Sequence, residues 1–409
     1  MFRSLAKAVV AAAALVAAAH TSAYAQTTTE GGPDPTMVHI RFGPLWIKPT
    51  LALTNAGVDE NVFNDPDGQA QRDFTVTVTP ATDAWLQVGR TWVTGTVQED
   101  VIWYRQFASE RSANTSYRAA WTAPLNRVTF NAGGAWLDTR ERPGYEIDAR
   151  AQRTEQHYTA SGTFRLLTNT SAGLRLDFGK LNFDEGEVFD GTNLHDQLNH
   201  TTTTFGLLVN QQLTPLTSIA LTGARSQDRF DFNPLRDSDS TVASIGVVFD
   251  PAALLKGSAT FGYRDFKPLN PTVPGYRGTT VAVDLAYNLL DISQFTVHIV
   301  RDIQYSFDVD QPYYLQTGVS LAARQQVFGP VDVEGRIGAD RLDYRDLSGV
   351  VVDVSNQSDH VTSSGGSVGY HFSTGLRFAF NVDKQTRESP VVSRQYDGVR
   401  FGTSVTYTF

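Results

Sequence analysis

A chain of 409 residues with no cysteine can form neither a disulfide scaffold nor a thiolate metal site. Its formal charge of −9, with no basic patch, excludes a nucleic-acid partner. Beyond residue 25 no run of about eighteen apolar residues occurs, so no helix in the remainder can cross a bilayer.

The chain begins "MFRSLAKAVVAAAALVAAAHTSAYAQ". Basic Arg3 and Lys7, an apolar run from Ala6 to Ala19, and small Ala23 and Ala25 before Gln26 predict a secretory signal peptide over 1–25, cleaved near Ala25. Residues 26–41, including "TTTEGGPDPTMVH", are polar and too short for a plug domain, and they read as a short periplasmic tether. From 42 to 409 no Pro/Ser linker, charge block or low-complexity tract divides the chain, which predicts one large all-β unit.

The pattern within that unit has period two. "AGLRLDF" sets Leu174, Leu176 and Phe178 against Arg175 and Asp177, and "LRFAFNV" sets Leu376, Phe378, Phe380 and Val382 against Arg377, Ala379 and Asn381. Successive side chains of a strand leave opposite faces of the sheet, so this alternation is a strand signature. In chain order the first nine such segments fall near 43–57, 73–89, 92–106, 113–122, 127–138, 154–167, 171–183, 200–213 and 216–228. The other nine fall near 239–249, 256–266, 277–289, 294–307, 312–327, 330–344, 358–372, 375–387 and 396–409.

Connection lengths alternate. Tight turns such as "GRTW", "APLN", "LTNT" and "FGPVD" follow the even-numbered segments. Long polar loops such as "DTRERPGYEIDARAQR", "FDEGEVFDGTNLHDQLNH" and "DYRDLSGVVVDVSNQSD" follow the odd-numbered ones. Short turns at one end, long loops at the other and an even strand count predict a closed antiparallel transmembrane β-barrel of about eighteen strands. The turns would be periplasmic and the loops extracellular, in the outer membrane of a Gram-negative cell. In lipid only helices and closed barrels satisfy every backbone group internally, and an open sheet this wide would leave two bare edges. Aromatics near segment ends, among them Trp92, Trp103, Tyr104, Trp121, Trp136, Tyr263, Tyr287, Tyr305, Tyr313, Tyr370 and Phe372, would form the interfacial girdles. Glu99 and Arg301 fall on the lipid-facing parity, and the register reads as drifting near Pro80. A β-bulge or a position near the headgroups is expected there.

The opening "GPLWIKPTLALTNAGVDENVFND", followed by "DFTVTVTP", "VGRTW" and "VIWYRQF", resembles the β-barrel porin-2 family, as does "ATFGYRDF" further on. The resemblance implies an outer-membrane barrel associated with exopolysaccharide synthesis and export, and it carries no catalytic motif. The terminal "VTYTF" is similar to the C-terminal signal by which the outer-membrane assembly machinery recognises barrels, with Tyr407 and Phe409 as its aromatic residues.

Catalytic and metal-binding patterns are weak. "GGSVG" matches G-x-S-x-G with Ser367 as nucleophile, but it lies inside a segment that continues to Phe372 with no helix following. His157 and Ser161 are the one local His/Ser pair. His195 and His200 share a loop with Asp184, Glu185, Glu187, Asp190 and Asp196 without the Gly-punctuated spacing of a calcium loop. No enzyme, cofactor or metal is expected.

The inward parity carries both signs of charge. Lys48, Asp100, Arg118, Arg165, Arg175, Asp177, Arg264, Asp284, Asp302, Arg324, Glu334, Arg336, Asp340, Arg377, Asp383 and Arg400 fall on it. Such residues either set pore selectivity or pair across neighbouring strands and brace the wall. With both signs present, the lumen suits neutral polar cargo such as sugars at least as well as ions, and inward Trp46, Tyr104, Tyr314 and Tyr344 could stack on sugar rings. The loop from Phe183 to His200 is the expected constriction. The expected function is a passive conduit for polysaccharide or another polar solute within an exopolysaccharide export system. Its expected partners are outer-membrane lipid and lipopolysaccharide, the assembly machinery, and polysaccharide or periplasmic export components. The alternative is a non-conducting scaffold or adhesion protein whose extracellular loops bind a partner.

Overall fold

A computed structural model describes Val38 and residues 40–66, 68–250, 253–290, 292–349, 358–373 and 375–408. The expected signal peptide, most of the expected tether and Phe409 lie outside the described residues.

A short strand, β1 (Ile40–Phe42), folds back on β2 (Leu45–Asp59), which begins the wall. The wall continues through β3 (Asp73–Val88), β4 (Thr91–Tyr104), β5 (Ser112–Pro124), β6 (Val128–Thr139), β7 (Arg153–Arg165) and β8 (Thr170–Phe183). A two-residue hairpin of β9 (Val188–Phe189) and β10 (Thr192–Asn193) and a one-turn helix, α1 (Leu194–Leu198), fill the connection that follows. Next come β11 (His200–Thr214), β12 (Thr217–Phe230), β13 (Ser238–Phe249), β14 (Leu255–Pro268), β15 (Tyr276–Leu289) and β16 (Ser293–Tyr305). The last five strands are β17 (Tyr313–Phe328), β18 (Val331–Arg345), β19 (Ser358–His371), β20 (Leu376–Glu388) and β21 (Tyr396–Thr408).

Each wall strand pairs antiparallel with its neighbours in sequence, and β21 returns to β2 through Thr50–Thr408, Leu51–Tyr407, Ala52–Thr406 and Leu53–Val405. The eighteen strands β2–β8 and β11–β21 therefore close a cylinder with no free edge. The seam bends at a bulge in β2, where the register shifts between Leu53 and Ala56 and Asn55 takes a φ of 54°. Gly57 at this bulge lies so close to the backbone of Phe401 and Gly402 that a Cβ there would collide with both.

Connections of two to five residues (89–90, 125–127, 166–169, 215–216, 250–254, 290–292, 329–330, 372–375) lie at one end of the barrel. Those at the other end have seven to sixteen residues, the longest spanning 184–199. Outward positions expose large apolar side chains: Leu174 and Leu176 on β8, Leu207 on β11, Leu221 on β12, Ile337 on β18 and Phe380 on β20 are 48–59% exposed. An apolar surface running round the whole cylinder is one that lipid, rather than water, covers. No helix among the described residues is long and apolar enough to cross a membrane; the crossing is made by strands.

Two sequence expectations change. No register drift occurs at Pro80: Val78–Val101 and Ala81–Gln98 keep one register, with the pairs between them simply absent, because proline has no N–H to give the ladder. Glu99 stays outward and exposed, while Arg301, four residues below the long-loop end of β16, turns its guanidinium to the Thr317 hydroxyl at 2.7 Å. Of the expected girdle residues, Trp103, Trp121, Tyr263, Tyr370 and Phe372 are exposed, but Tyr104 and Tyr313 are buried among loops.

Candidate functional site

The loop 140–152, between β6 and β7, does not project outward. It enters the bore and reaches the far wall. Its Tyr145 hydroxyl bonds the Asp340 carboxylate on β18 and its ring packs on Tyr314, Leu342 and Tyr344. In the closed ring β7 is the sixth wall strand and β18 the fifteenth, so the loop spans the full diameter.

The loop is held by charged groups on every side. Glu146 accepts from the Ser306 hydroxyl at 2.5 Å and the Phe307 amide at 3.2 Å, both in the β16–β17 connection. Arg387 on β20 donates to the carbonyls of Tyr145 (2.9 Å) and Glu146 (3.1 Å) and pairs with Asp148 and, at 2.5 Å, with Asp359 on β19. Arg142 donates to the carbonyls of Asp148 and, at 2.7 Å, of Val62 in the β2–β3 connection. Arg150 bonds the Tyr104 hydroxyl at 2.7 Å and lies 3.2 Å from Glu110. Burial raises Glu146 to about 7 and Asp148 to about 6, against the opposing pull of Arg394 and Arg387 on the first and of Arg387 and Arg142 on the second. Burial also lowers Arg142, which sits near two further guanidinium groups, those of Arg150 and Arg400.

The loop 184–199, expected to form the constriction, is instead the backing of this one. Leu194 and Leu198 of α1 pack with Phe183 and Phe307 on Ile147 and Ala151, and the Asn199 amide group clasps the Phe183 backbone at 2.6 and 3.2 Å. The β16–β17 connection completes the cap. β16 parts from β15 beyond the Val281–Arg301 pair, and its end leans towards β13 and β14 through Tyr305–Ser238 (2.7 Å) and Arg264–Asp302 (3.0 Å). Arg236, lowered to about 10 by burial, donates to the carbonyls of Ser306, Asp308 (2.5 Å) and Pro312.

Below the cap the bore is polar, and it holds two neighbouring cavities. One, of ≈ 590 Å³, is lined from β4 round to β13 and includes Arg118, Arg165 and Arg175. The other, of ≈ 560 Å³, lies nearer the cap and includes Asp177, Arg264 and Asp302, sharing Arg118, His157 and Arg175 with the first. Of the other inward charges, Asp340 is held by Tyr145 and Gln316 and Asp100 by Thr79 and Gln98, while most of the rest lie in pairs on or beside β16–β21. Arg324 and Arg336 both grip Glu334, the second at 2.7 Å, and Arg336 continues to Asp383 at 2.6 Å. Arg377 forks onto Asp332 at 2.6 and 2.8 Å, beside His371. Arg400 bridges the closing seam to Asp59 at 2.5 Å, and Asp284 on β15 meets His298 on β16 at 2.5 Å. On this side, neighbouring strands are braced by their charges.

Several readings need correcting. Tyr104, Tyr314 and Tyr344 are 1–6% exposed, and they hold Arg150, Tyr145 and Arg394 rather than offering faces to a solute. Trp46 carries Arg41 over its ring at 4.5 Å. Ser367 sits mid-strand in β19 between Glu334 and Asn381, without the strand–turn–helix that a nucleophile elbow requires. His200 stacks on Phe230 and His195 faces Asp196; among the described residues no group of three or more His, Cys, Asp or Glu is placed to hold a metal. The sequence singled out neither Glu146 nor Arg387; the signal was there in the dense charge of "DTRERPGYEIDARAQR", which has no period to place it.

The family model described as "Putative beta-barrel porin 2" matches residues 34–409. The chain belongs to this family. It is an outer-membrane porin-like β-barrel, of a family and fold that are channels and not enzymes. No curated protein matches it. Solved structures similar to this porin-2 barrel include Acinetobacter baumannii OccAB4, at 10% identity over 92% of this chain and 100% of that one, with a TM-score of 0.47. A BenF-like porin from Pseudomonas fluorescens Pf-5 is 10% identical over 90% and 99% of the two chains, with a TM-score of 0.47. Pseudomonas aeruginosa OccK2 (OpdF), solved in complex with glucuronate, is 8% identical over 89% and 98%, again at 0.47.

Proposed function

We propose that this barrel is a passive outer-membrane conduit for polar solutes, serving polysaccharide in an exopolysaccharide export system. The observation that carries the conduit reading is the polar bore below the cap. Its two cavities of ≈ 590 and ≈ 560 Å³ lie within the roughly 300–1,000 Å³ of small-ligand sites. A barrel of eighteen strands is wide enough to hold an aqueous channel, and the inserted loop with its backing narrows it. A polymer in transit would require loop 140–152 to leave the bore, with periplasmic export components presenting the chain from below. Recording purified protein in planar bilayers tests the conduit, and stable unitary currents are expected. For the polysaccharide role, deleting the gene is expected to reduce surface polysaccharide; an unchanged coat would refute it.

One observation favours the non-conducting scaffold. The Arg387 side chain is fully buried and holds Asp148 and Asp359 at once, as a permanent closure would. Absence of current from both the native chain and a chain shortened in loop 140–152 would establish that reading.

A further inference from the structure

Arginines with and without a carboxylate partner lie on different sides of the bore. On β16–β21 each inward arginine is paired: Arg324 and Arg336 with Glu334, Arg377 with Asp332, Arg387 with Asp359, and Arg400 with Asp59. On β5–β8 the balance is different. Arg118 on β5, Arg127 in the β5–β6 turn and Arg165 on β7 line the ≈ 590 Å³ cavity, are exposed, and make no ion pair among the described residues. Arg175 joins them while paired with Asp177. The single described carboxylate on that cavity is Asp250.

Arginines that brace a wall are neutralised by it; arginines held in water inside a low-dielectric cylinder leave a positive potential in the path. A guanidinium also presents a planar fork of donors that matches carboxylate or phosphate oxygens. Around these three, Asn131, Thr159 and Ser161 supply hydroxyl and amide groups of the kind that meet sugar hydroxyls. Arg118 and Arg175 line the second cavity too, where Glu155, Asp177, Asp228 and Asp302 add carboxylates, so the unpaired positive charge is concentrated towards the short-turn end.

We infer that Arg118, Arg127 and Arg165 form an anion track, and that the preferred solute is a small hydroxylated anion, an acidic sugar. This rests on the conduit reading, independently of the polysaccharide role, and names the class of small solute that the barrel passes. The track needs no conformational change, because the three guanidinium groups already face the cavity.

Reversal potentials across a KCl gradient test it. The native barrel is expected to favour chloride over potassium several-fold, and R118Q/R127Q/R165Q to lose or invert that preference. The single variant R165E, expected to shift in the same direction, keeps the test open should the triple variant fail to assemble. Liposome uptake supplies the second readout: galacturonate is expected to enter faster than galactose, or glucose 6-phosphate faster than glucose, and whichever does identifies the acid group. A conducting barrel that prefers potassium, a triple variant with unchanged selectivity, or neutral sugars entering as fast as both anions would overturn the anion track alone. A chain that passes no current with or without its loop would end the conduit reading, and the track with it.

Discussion

Arg387 on β20 and Asp148 in the β6–β7 loop form a buried ion pair between residues 239 positions apart in sequence. Asp359 on β19 shares the same guanidinium at 2.5 Å, so one arginine ties the loop to two wall strands. Removing it would leave two carboxylates buried without their partner, at a cost of about 3–5 kcal/mol for a broken buried pair. R387Q is therefore expected to release the loop while the barrel stays folded. In bilayer recordings this should appear as larger, noisier unitary currents, with the heat-modifiable mobility on SDS gels retained.

Replacing residues 142–150 by a short Gly/Ser link removes the obstruction itself. Conductance should rise above that of R387Q, and liposomes should admit larger neutral sugars than those carrying the native chain. Equal size limits for the two proteins would show that the constriction lies elsewhere.

The loop should also respond to pH. Glu146 is raised from an ordinary carboxylate to about 7, and Asp148 to about 6, chiefly by burial. The groups facing Glu146 are Ser306, the Phe307 amide, Arg394, Arg387, Arg236 and the Tyr314 and Tyr344 hydroxyls. A carboxyl with a raised value in the closed state keeps a proton that the solvated loop would release. Closure is thus most stable below the ordinary carboxylate range and weakens as pH rises to about 7. Open probability should increase across that interval, and E146Q should flatten most of the change. A native profile that falls with rising pH would contradict this assignment.

Leu207 faces outward near the middle of β11, opposite Leu174 on β8, and is 55% exposed. Leu207→Arg is expected to destabilise the barrel by about 2–4 kcal/mol, the cost of a mid-bilayer arginine. Urea unfolding of protein in lipid vesicles measures it. The same change at Asn210, which lines the lumen, should cost much less.

Gly57 lies against the backbone of Phe401 and Gly402 at the closing seam. Gly57→Val should prevent β2 and β21 from meeting, so that the protein fails to reach the heat-modifiable form. Gly223, whose Cβ position is open, should tolerate alanine.

The eighteen strands were legible because a wall between lipid and water imposes period two on every strand. Leu174, Leu176 and Phe178 had to face lipid whichever strands lay beside them. The closing pairing of Leu51 with Tyr407 followed from the same rule, since the first and last strands of a cylinder have no other partner. The inward parity of Arg118, Arg165, Arg264, Arg324, Arg377 and Arg400 was likewise set by strand alternation.

The tertiary structure alone decided what lies inside that wall. Loop 140–152 has no period, and its partners Ser306 and Arg387 are 160 or more residues away, so its dense charge could not say that it enters the bore. Register across neighbouring strands decided which charges cancel: Arg377 meets Asp332 across two strands, while Arg118 and Arg165 pair with no carboxylate among the described residues. Side-chain direction is a local property of the backbone, and sequence carries it. Charge pairing and loop insertion depend on groups brought together only when the cylinder closes.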